Sequence, residues 1–248
     1  MTNKINNIIF YLLIIFSIYC ALNIGMSWDE LGSINQGNER LKYLFSFGSY
    51  NYLDYADQRF YPGFYTTIST FITKIFPKKY EIESLHLINL LFSISTIFGI
   101  SKISSELFNK KVGKIVFILC FLNPIFFGHI AINQKDMLVA FSNIWSTYLI
   151  IRYLKKQHIK EKRNRYVILG SLVIGFGLGV RIAFLSTLIP VILTSIFYVL
   201  FYKKVINENF SNKKLILDLS KVFIISYILM ISCWPDAHKN IFILPFKL

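Results

Sequence analysis

The sequence predicts an all-α membrane protein with about seven transmembrane helices. Of its 248 residues, 54% are hydrophobic and only 16% are charged, and the mean hydropathy is +0.52. This composition is too apolar for a soluble domain. The apolar residues fall into runs close to the ~20 residues that a helix needs to cross ~30 Å of hydrocarbon. We therefore expect one membrane domain over residues 1–248.

Seven apolar segments are predicted to span the membrane: 6–24, 84–107, 114–131, 137–153, 166–180, 182–202 and 214–234. Residues 25–83 then form a long first outer loop. An eighth apolar stretch, 61–76, could also span. If it did, the basic segment 152–165 would lie outside the cell, against the positive-inside rule. We therefore expect 61–76 to lie in the membrane interface, as we do for an amphipathic helix over 38–47, and the N-terminus to be cytoplasmic.

The charge distribution indicates membrane orientation and argues against nucleic-acid binding. The formal net charge is +14, but the lysines and arginines lie in short clusters between apolar runs, as in multi-pass proteins. The three cysteines lie inside apolar runs without metal-ligand or redox spacing. We expect a multi-pass protein of the plasma or inner membrane with no nucleic-acid partner.

With this topology, the polar side chains at the helix ends gather on the extracytoplasmic face. Asp29 and Glu30 follow the first span, Lys135 and Asp136 precede the fourth, and Arg181 separates the fifth from the sixth. Charged groups at membrane depth are costly and tend to be functional. These five residues are therefore the candidate site.

Each candidate also has a structural interpretation. Ser27 and Glu30 have the spacing of a helix capping box, and Asp136 could cap the fourth span. Lys135 could extend towards the membrane surface, and Arg181 could be an interfacial anchor. The sequence leaves these alternatives open.

The order of the motifs resembles the GT-C glycosyltransferases, and within them the branch of protein O-mannosyltransferases and lipid A aminoarabinose transferase. The resemblance rests on a first span ending in an Asp-Glu pair, a Tyr-Pro step in the first outer loop, GHIAINQKDMLVAF (128–141) and GFGLGVRIAFL (175–185). It covers almost the whole chain. Members of that branch usually continue with more spans, so a chain ending in FILPFKL is expected to be an N-terminal membrane core.

The resemblance implies inverting transfer of a sugar from a polyprenyl-phosphate donor to a lipid, glycan or protein acceptor on the extracytoplasmic face. Asp29 would take the acceptor proton, and Glu30 would be a second catalytic candidate. Asp136 would orient the acceptor or complete a divalent-cation site with Asp29. Lys135 and Arg181 would face the donor phosphate.

The tyrosine-rich segment 49–65 supplies two substrate-binding candidates, Tyr61 and Asp57. Tyrosine and aspartate side chains suit stacking on a sugar and hydrogen bonding to it, although an aromatic belt at the membrane surface also explains the tyrosines. The spacing of the four histidines predicts no metal site.

Two other functions stay open at this stage. A transporter or flippase is expected to carry ionisable groups near mid-membrane and broken helices in matching halves, whereas the acids here lie at helix ends and no internal repeat is evident. A non-catalytic assembly subunit is the other alternative.

Overall fold

The computed structural model describes residues 2–54, 58–202 and 209–247, which are helical without any β-strand in these ranges. The helices are α1 (Thr2–Asn23), α2 (Glu30–Phe45), α3 (Phe64–Thr73), α4 (Glu81–Leu107), α5 (Lys110–Leu122), α6 (Pro124–His129), α7 (Asp136–Lys156), α8 (Lys160–Val180), α9 (Phe184–Phe201), α10 (Asn212–Ile231) and α11 (Pro235–His238). The predicted all-α fold is confirmed.

Three helices of the described ranges are long and apolar enough to cross a membrane: Lys78–Leu107, Asp136–Lys156 and Phe184–Phe201. Ile8–Asn23 is a shorter apolar helix. The first half of α10 carries Lys214, Asp218 and Lys221, and α5 has only 13 residues. The protein is an all-helical membrane protein, and the count of seven spans stays a prediction.

The predicted span 114–131 consists of parts of two helices, and its crossing of the membrane stays a prediction. Helix α5 ends at Leu122, the backbone is extended at Asn123, and α6 begins at Pro124. Proline has no backbone N–H and clashes with the preceding helical turn, so it favours a new helix start. The Asn123 side chain caps that start by accepting a hydrogen bond from the backbone N–H of Phe126 at 3.0 Å.

The first outer loop contains α2 and α3, which pack closely against each other. A Cβ at Gly37 in α2 would lie 2.9 Å from the Thr66 carbonyl oxygen, so only glycine allows this approach. The 10 residues of α3 extend ~15 Å, about half the hydrocarbon thickness. A helix of this length does not cross the bilayer, while its location in the interface stays a prediction.

Arg40 anchors the chain just before α3. Its guanidinium is fully buried and donates a hydrogen bond to the Tyr61 carbonyl oxygen at 2.8 Å. Gly63 adopts a left-handed conformation (φ 71°), and a Cβ there would overlap the Arg40 guanidinium. Burial lowers the pKa of Arg40 to about 10. Arg40 therefore stays charged at neutral pH and fixes the Tyr-Pro segment to α2.

Helix α8 packs against its neighbours through glycines near its C-terminal end. A Cβ at Gly175 would lie 2.9 Å from the Ser226 Cα of α10, and one at Gly179 would lie 2.6 Å from the Phe64 Cβ of α3. Small residues let helices approach this closely. Gly170 differs, because a Cβ there would meet open space. The tight packing therefore concentrates next to Arg181.

Candidate functional site

Three chain segments meet in one cavity of about 280 Å³. This volume is just below the ~300–1,000 Å³ of typical small-molecule sites. The segments are the connection from α1 to α2, the connection from α6 to α7, and the end of α8. The lining residues are Ser27, Trp28, Asp29, Glu30, Ser33, His129, Ile132, Asn133, Gln134, Lys135, Asp136 and Arg181. All five charged residues proposed from the motifs therefore meet in one place.

Asp29 is exposed to this cavity. It precedes the first residue of α2, yet its side chain makes no capping hydrogen bond. The Asp29 side chain therefore does not cap α2, and it is exposed at the cavity.

Glu30 is buried, with a side chain only 1% exposed. It accepts a hydrogen bond from the backbone N–H of Ser27 at 2.5 Å, which is the contact that the capping-box spacing predicted, although the helix begins at Glu30 itself. His86 Nε2 and Gln134 Nε2 lie 2.9 and 3.4 Å from its Oε1. Burial by itself would raise the pKa of Glu30, but the hydrogen bonds with His86 and Ser27 lower it below the ordinary value.

Asp136 and Arg181 form an ion pair at the rim of the cavity. Arg181 Nη1 lies 2.9 Å from Asp136 Oδ1, and the two side chains are 33% and 67% exposed. The Asn133 side-chain oxygen accepts a hydrogen bond from the backbone N–H of Asp136 at 2.9 Å. The Asn133 amide also donates to Oδ2 of the Asp136 carboxylate at 3.2 Å. Asp136 is the first residue of α7 rather than its cap. Its carboxylate therefore links the start of α7 to the end of α8.

Tyr61 lies against both candidate phosphate-binding cations. Its ring centroid is 5.0 Å from Lys135 Nζ and 5.7 Å from Arg181 Cζ. Cation–π attraction at such distances is worth ~0.5–2 kcal/mol. The structure thus brings Tyr61 to the site. Asp57, the other substrate-binding candidate, lies outside the described residues.

The carboxylates at the site do not make a good metal centre. No group of three or more His, Cys, Asp or Glu side chains that could hold a metal ion occurs among the described residues. Of the two exposed carboxylates, that of Asp136 is already neutralised by Arg181. This donor set therefore does not suit a divalent cation.

A second, more apolar cavity of about 350 Å³ begins next to the first. Asp136 lines both cavities. The remaining lining residues of the second cavity come from α4, α6, α7 and α9: Thr96, Ile100, Phe126, Val139, Ala140, Asn143, Ile144 and Thr187. The Asn143 amide donates to the Thr187 carbonyl and hydroxyl oxygens at 2.9 and 3.0 Å. The two cavities therefore adjoin at Asp136.

Sequence reasoning missed two features of the site. Trp28 is 97% exposed at the cavity, directly before Asp29, and its place in the Trp-Asp-Glu run was the only available signal. His86 lies 56 positions from Glu30 in sequence. Nothing in the spacing indicates that contact, since it depends on how α4 packs against the start of α2.

A comparison with protein-family models matches a region of the chain that contains part of this site. A family model described as dolichyl-phosphate-mannose-protein mannosyltransferase matches residues 62–234, more than two thirds of the chain. The matched region includes Asp136 and Arg181 and begins after Asp29 and Glu30. None of the curated proteins and none of the solved structures matches the chain.

Proposed function

Because the chain belongs to the dolichyl-phosphate-mannose-protein mannosyltransferase family, and is therefore a membrane glycosyltransferase of the GT-C type, we propose that it transfers a sugar from a polyprenyl-phosphate donor. The acceptor is a lipid, glycan or protein at the extracytoplasmic face of the plasma or inner membrane. The observation that carries this proposal is that an unoccupied carboxylate, Asp29, and two cations, Lys135 and Arg181, meet around one cavity.

A single displacement needs a base and a stabilised leaving group. The acceptor hydroxyl oxygen bonds to the anomeric carbon while the bond from that carbon to the phosphate oxygen breaks. Asp29 takes the hydroxyl proton, and the phosphate keeps the electron pair. Because attack and departure occur on opposite faces of the sugar, the product has inverted configuration. General-base catalysis of this kind contributes ~10²–10⁴-fold to rate.

Arg181 and Lys135 are suited to the phosphate that leaves. Arg181 uses Nη1 for Asp136, and its buried Nε has no hydrogen-bond partner in the described ranges. The side chain is 33% exposed, so the accessible part of the guanidinium can bind phosphate oxygens, which a planar fork of donors fits well. Lys135 adds a second positive charge. The Tyr61 ring contacts both cations, Lys135 and Arg181, and so keeps them close together.

The apolar second cavity suits the lipid part of the donor. Its boundary with the charged cavity lies at Asp136, so a phosphate held by Arg181 would have its polyprenyl chain directed between α4, α7 and α9. Trp28 and Tyr61 are the aromatic side chains for contact with the sugar, and Asp57 remains a candidate for a hydrogen bond to it. Glu30 would act by holding Asp29 in place, since its own carboxylate is buried.

The substitution Asp29→Asn tests the base. It keeps size and most hydrogen bonding but removes proton acceptance, so turnover should fall ~10²–10⁴-fold while donor binding is retained. Asp54→Asn is the matched control, because Asp54 is also an acid of the first outer loop but pairs with Arg59 away from the cavity. Turnover and donor affinity are measured separately on purified protein with a polyprenyl-phosphate sugar. Full turnover by Asp29→Asn in an active preparation would refute the proposed role.

A further inference from the structure

His86 on α4 connects segments that are remote in sequence. The ring is fully buried, and its Nδ1 lies 3.0 Å from the carbonyl oxygen of Ala21, in the last turn of α1. Its Nε2 lies 2.9 Å from Oε1 of Glu30, the first residue of α2. Gln134, in the connection to α7, donates to the same carboxylate oxygen at 3.4 Å. One histidine thus joins α1, α2 and, through Glu30, the segment before α7.

The hydrogen-bonding partners determine where the protons lie. A carbonyl oxygen only accepts, so His86 Nδ1 must carry a proton to bond to Ala21. The other ring nitrogen faces a carboxylate whose two oxygens already receive hydrogen bonds from Ser27 and Gln134. These donors stabilise the ionised form of Glu30. The remaining proton then belongs on His86 Nε2, which makes the ring an imidazolium.

We infer that His86 and Glu30 form a buried imidazolium–carboxylate pair that positions Asp29 relative to Lys135, making His86 a positioning residue for sugar transfer. This inference rests on the proposed function. Asp29 precedes Glu30 in the chain, and Lys135 follows Gln134. The base is therefore the chain neighbour of Glu30, and a phosphate-binding cation is the chain neighbour of Gln134, which donates to Glu30 Oε1.

The His86–Glu30 pair should affect the rate of sugar transfer because the base, Asp29, lies on a connection between helices and not inside a helix. Only contacts made by neighbouring residues fix the Asp29 carboxylate in space, since it has no side-chain cap bond of its own. A displacement of ~1 Å can lower a reaction rate ~10²-fold without removing any reacting group. Loss of the pair should therefore lower turnover far more than donor affinity, since Arg181, the other phosphate-binding cation, lies on a different segment.

The first test measures the protonation of His86 and does not depend on activity. In a protein whose other histidines, His129, His158 and His238, are replaced by glutamine, ¹⁵N-labelled histidine reports on one ring. At about pH 8, where an ordinary histidine of pKa ~6.5 is neutral, both ring nitrogens of His86 should still carry protons. Glu30→Gln should leave the ring with one. A neutral ring in the protein that retains Glu30 would overturn the inference.

The second test is kinetic and combines two substitutions. His86→Gln should lower turnover by up to ~10²-fold, while the exposed His158, at the other end of α7, gives the control His158→Gln. If His86 acts through Asp29, adding His86→Gln to Asp29→Asn should lower turnover no further, because residues that act as a unit are not additive. Independent losses that multiply, or an equal loss of donor affinity, would refute a positioning role.

A third variant covers the case in which His86→Gln does not fold. Gln134→Ala removes only the 3.4 Å hydrogen bond to Glu30 and leaves the ion pair intact. It should lower turnover in the same direction with donor binding retained, and unchanged turnover would contradict the inference. Failure of the proposed function is separate, since it would appear as an active Asp29→Asn variant whatever the protonation of His86.

Discussion

Removal of Arg181 should weaken donor binding far more than it weakens the fold. In the structure its ion pair with Asp136 spans 2.9 Å, and the two side chains are 33% and 67% exposed. Ion pairs with this much exposure contribute ~0–1 kcal/mol to stability. Arg181→Ala should therefore lower the free energy of unfolding by less than ~1 kcal/mol.

The expected effect on the donor is larger because a charge-assisted hydrogen bond to phosphate would be lost. Such bonds are worth ~1.5–3 kcal/mol, which corresponds to a rise of about 10- to 150-fold in the donor Kd. Arg181→Lys should recover part of the affinity, since it restores the charge without the planar fork. Equilibrium binding of a labelled polyprenyl-phosphate sugar and thermal unfolding, both in the same detergent, separate the two effects.

The matched control is Arg152→Ala. Arg152 pairs with Glu106 at 2.8 Å with both side chains 22% exposed, and it lies at the opposite end of α7 from Arg181. Its removal should affect stability to a similar degree and leave the donor Kd unchanged. If Arg152→Ala and Arg181→Ala weaken donor binding equally, or if neither does, Arg181 is an interfacial anchor and not a phosphate ligand.

Three further outcomes follow from the same structure. The variant Ser49→Cys, at an exposed position, should react with an impermeant thiol reagent on intact cells, whereas Lys160→Cys should react only after permeabilisation. The reverse labelling pattern would show that the predicted topology is inverted. Gly63→Ala should destabilise the protein by ~1–3 kcal/mol, because φ is 71° and the buried guanidinium blocks a Cβ, whereas Gly170→Ala, with open space, should not. The pKa of Glu30 is lowered in the folded protein. Its ionised carboxylate therefore stabilises the fold at pH values above the ordinary carboxyl pKa of ~4.3, and this stabilisation is lost as the pH falls through the lowered pKa. The free energy of unfolding of Glu30→Gln should therefore depend less on pH in this acid range.

Hydropathy predicted the fold class because a bilayer imposes a length and a composition on each crossing helix. It did not indicate the break within 114–131, where Asn123 and Pro124 divide the predicted span into two helices. Local chain chemistry outweighed average hydropathy there. The Asn-Pro pair carried that information, since asparagine caps helices and proline starts them.

The site was predictable where charge and chain order determine it. Asp29, Asp136 and Arg181 stand at helix ends that the topology assigns to one face, and the structure brings all three to one cavity. The state of each side chain was not predictable. Glu30 has the same sequence context as Asp29, yet it is buried, because α4 presents His86 at the depth of its carboxylate.

Buried polar contacts fix the outer loop, residues 25–83, at its start and near its middle. At one end His86 holds the start of α2. Near the middle, Arg40 of the same loop donates to the Tyr61 carbonyl at 2.8 Å, and the fully buried Trp234, which lies outside the loop, donates to the Arg59 carbonyl at 2.7 Å. Buried hydrogen bonds tolerate little displacement because a broken partner leaves an unsatisfied polar group. The position of Tyr61 against its two cations therefore depends on a tryptophan that lies 175 residues after Arg59. A substitution at Arg40 or at Trp234 should therefore weaken donor binding, even though neither residue lines the cavity.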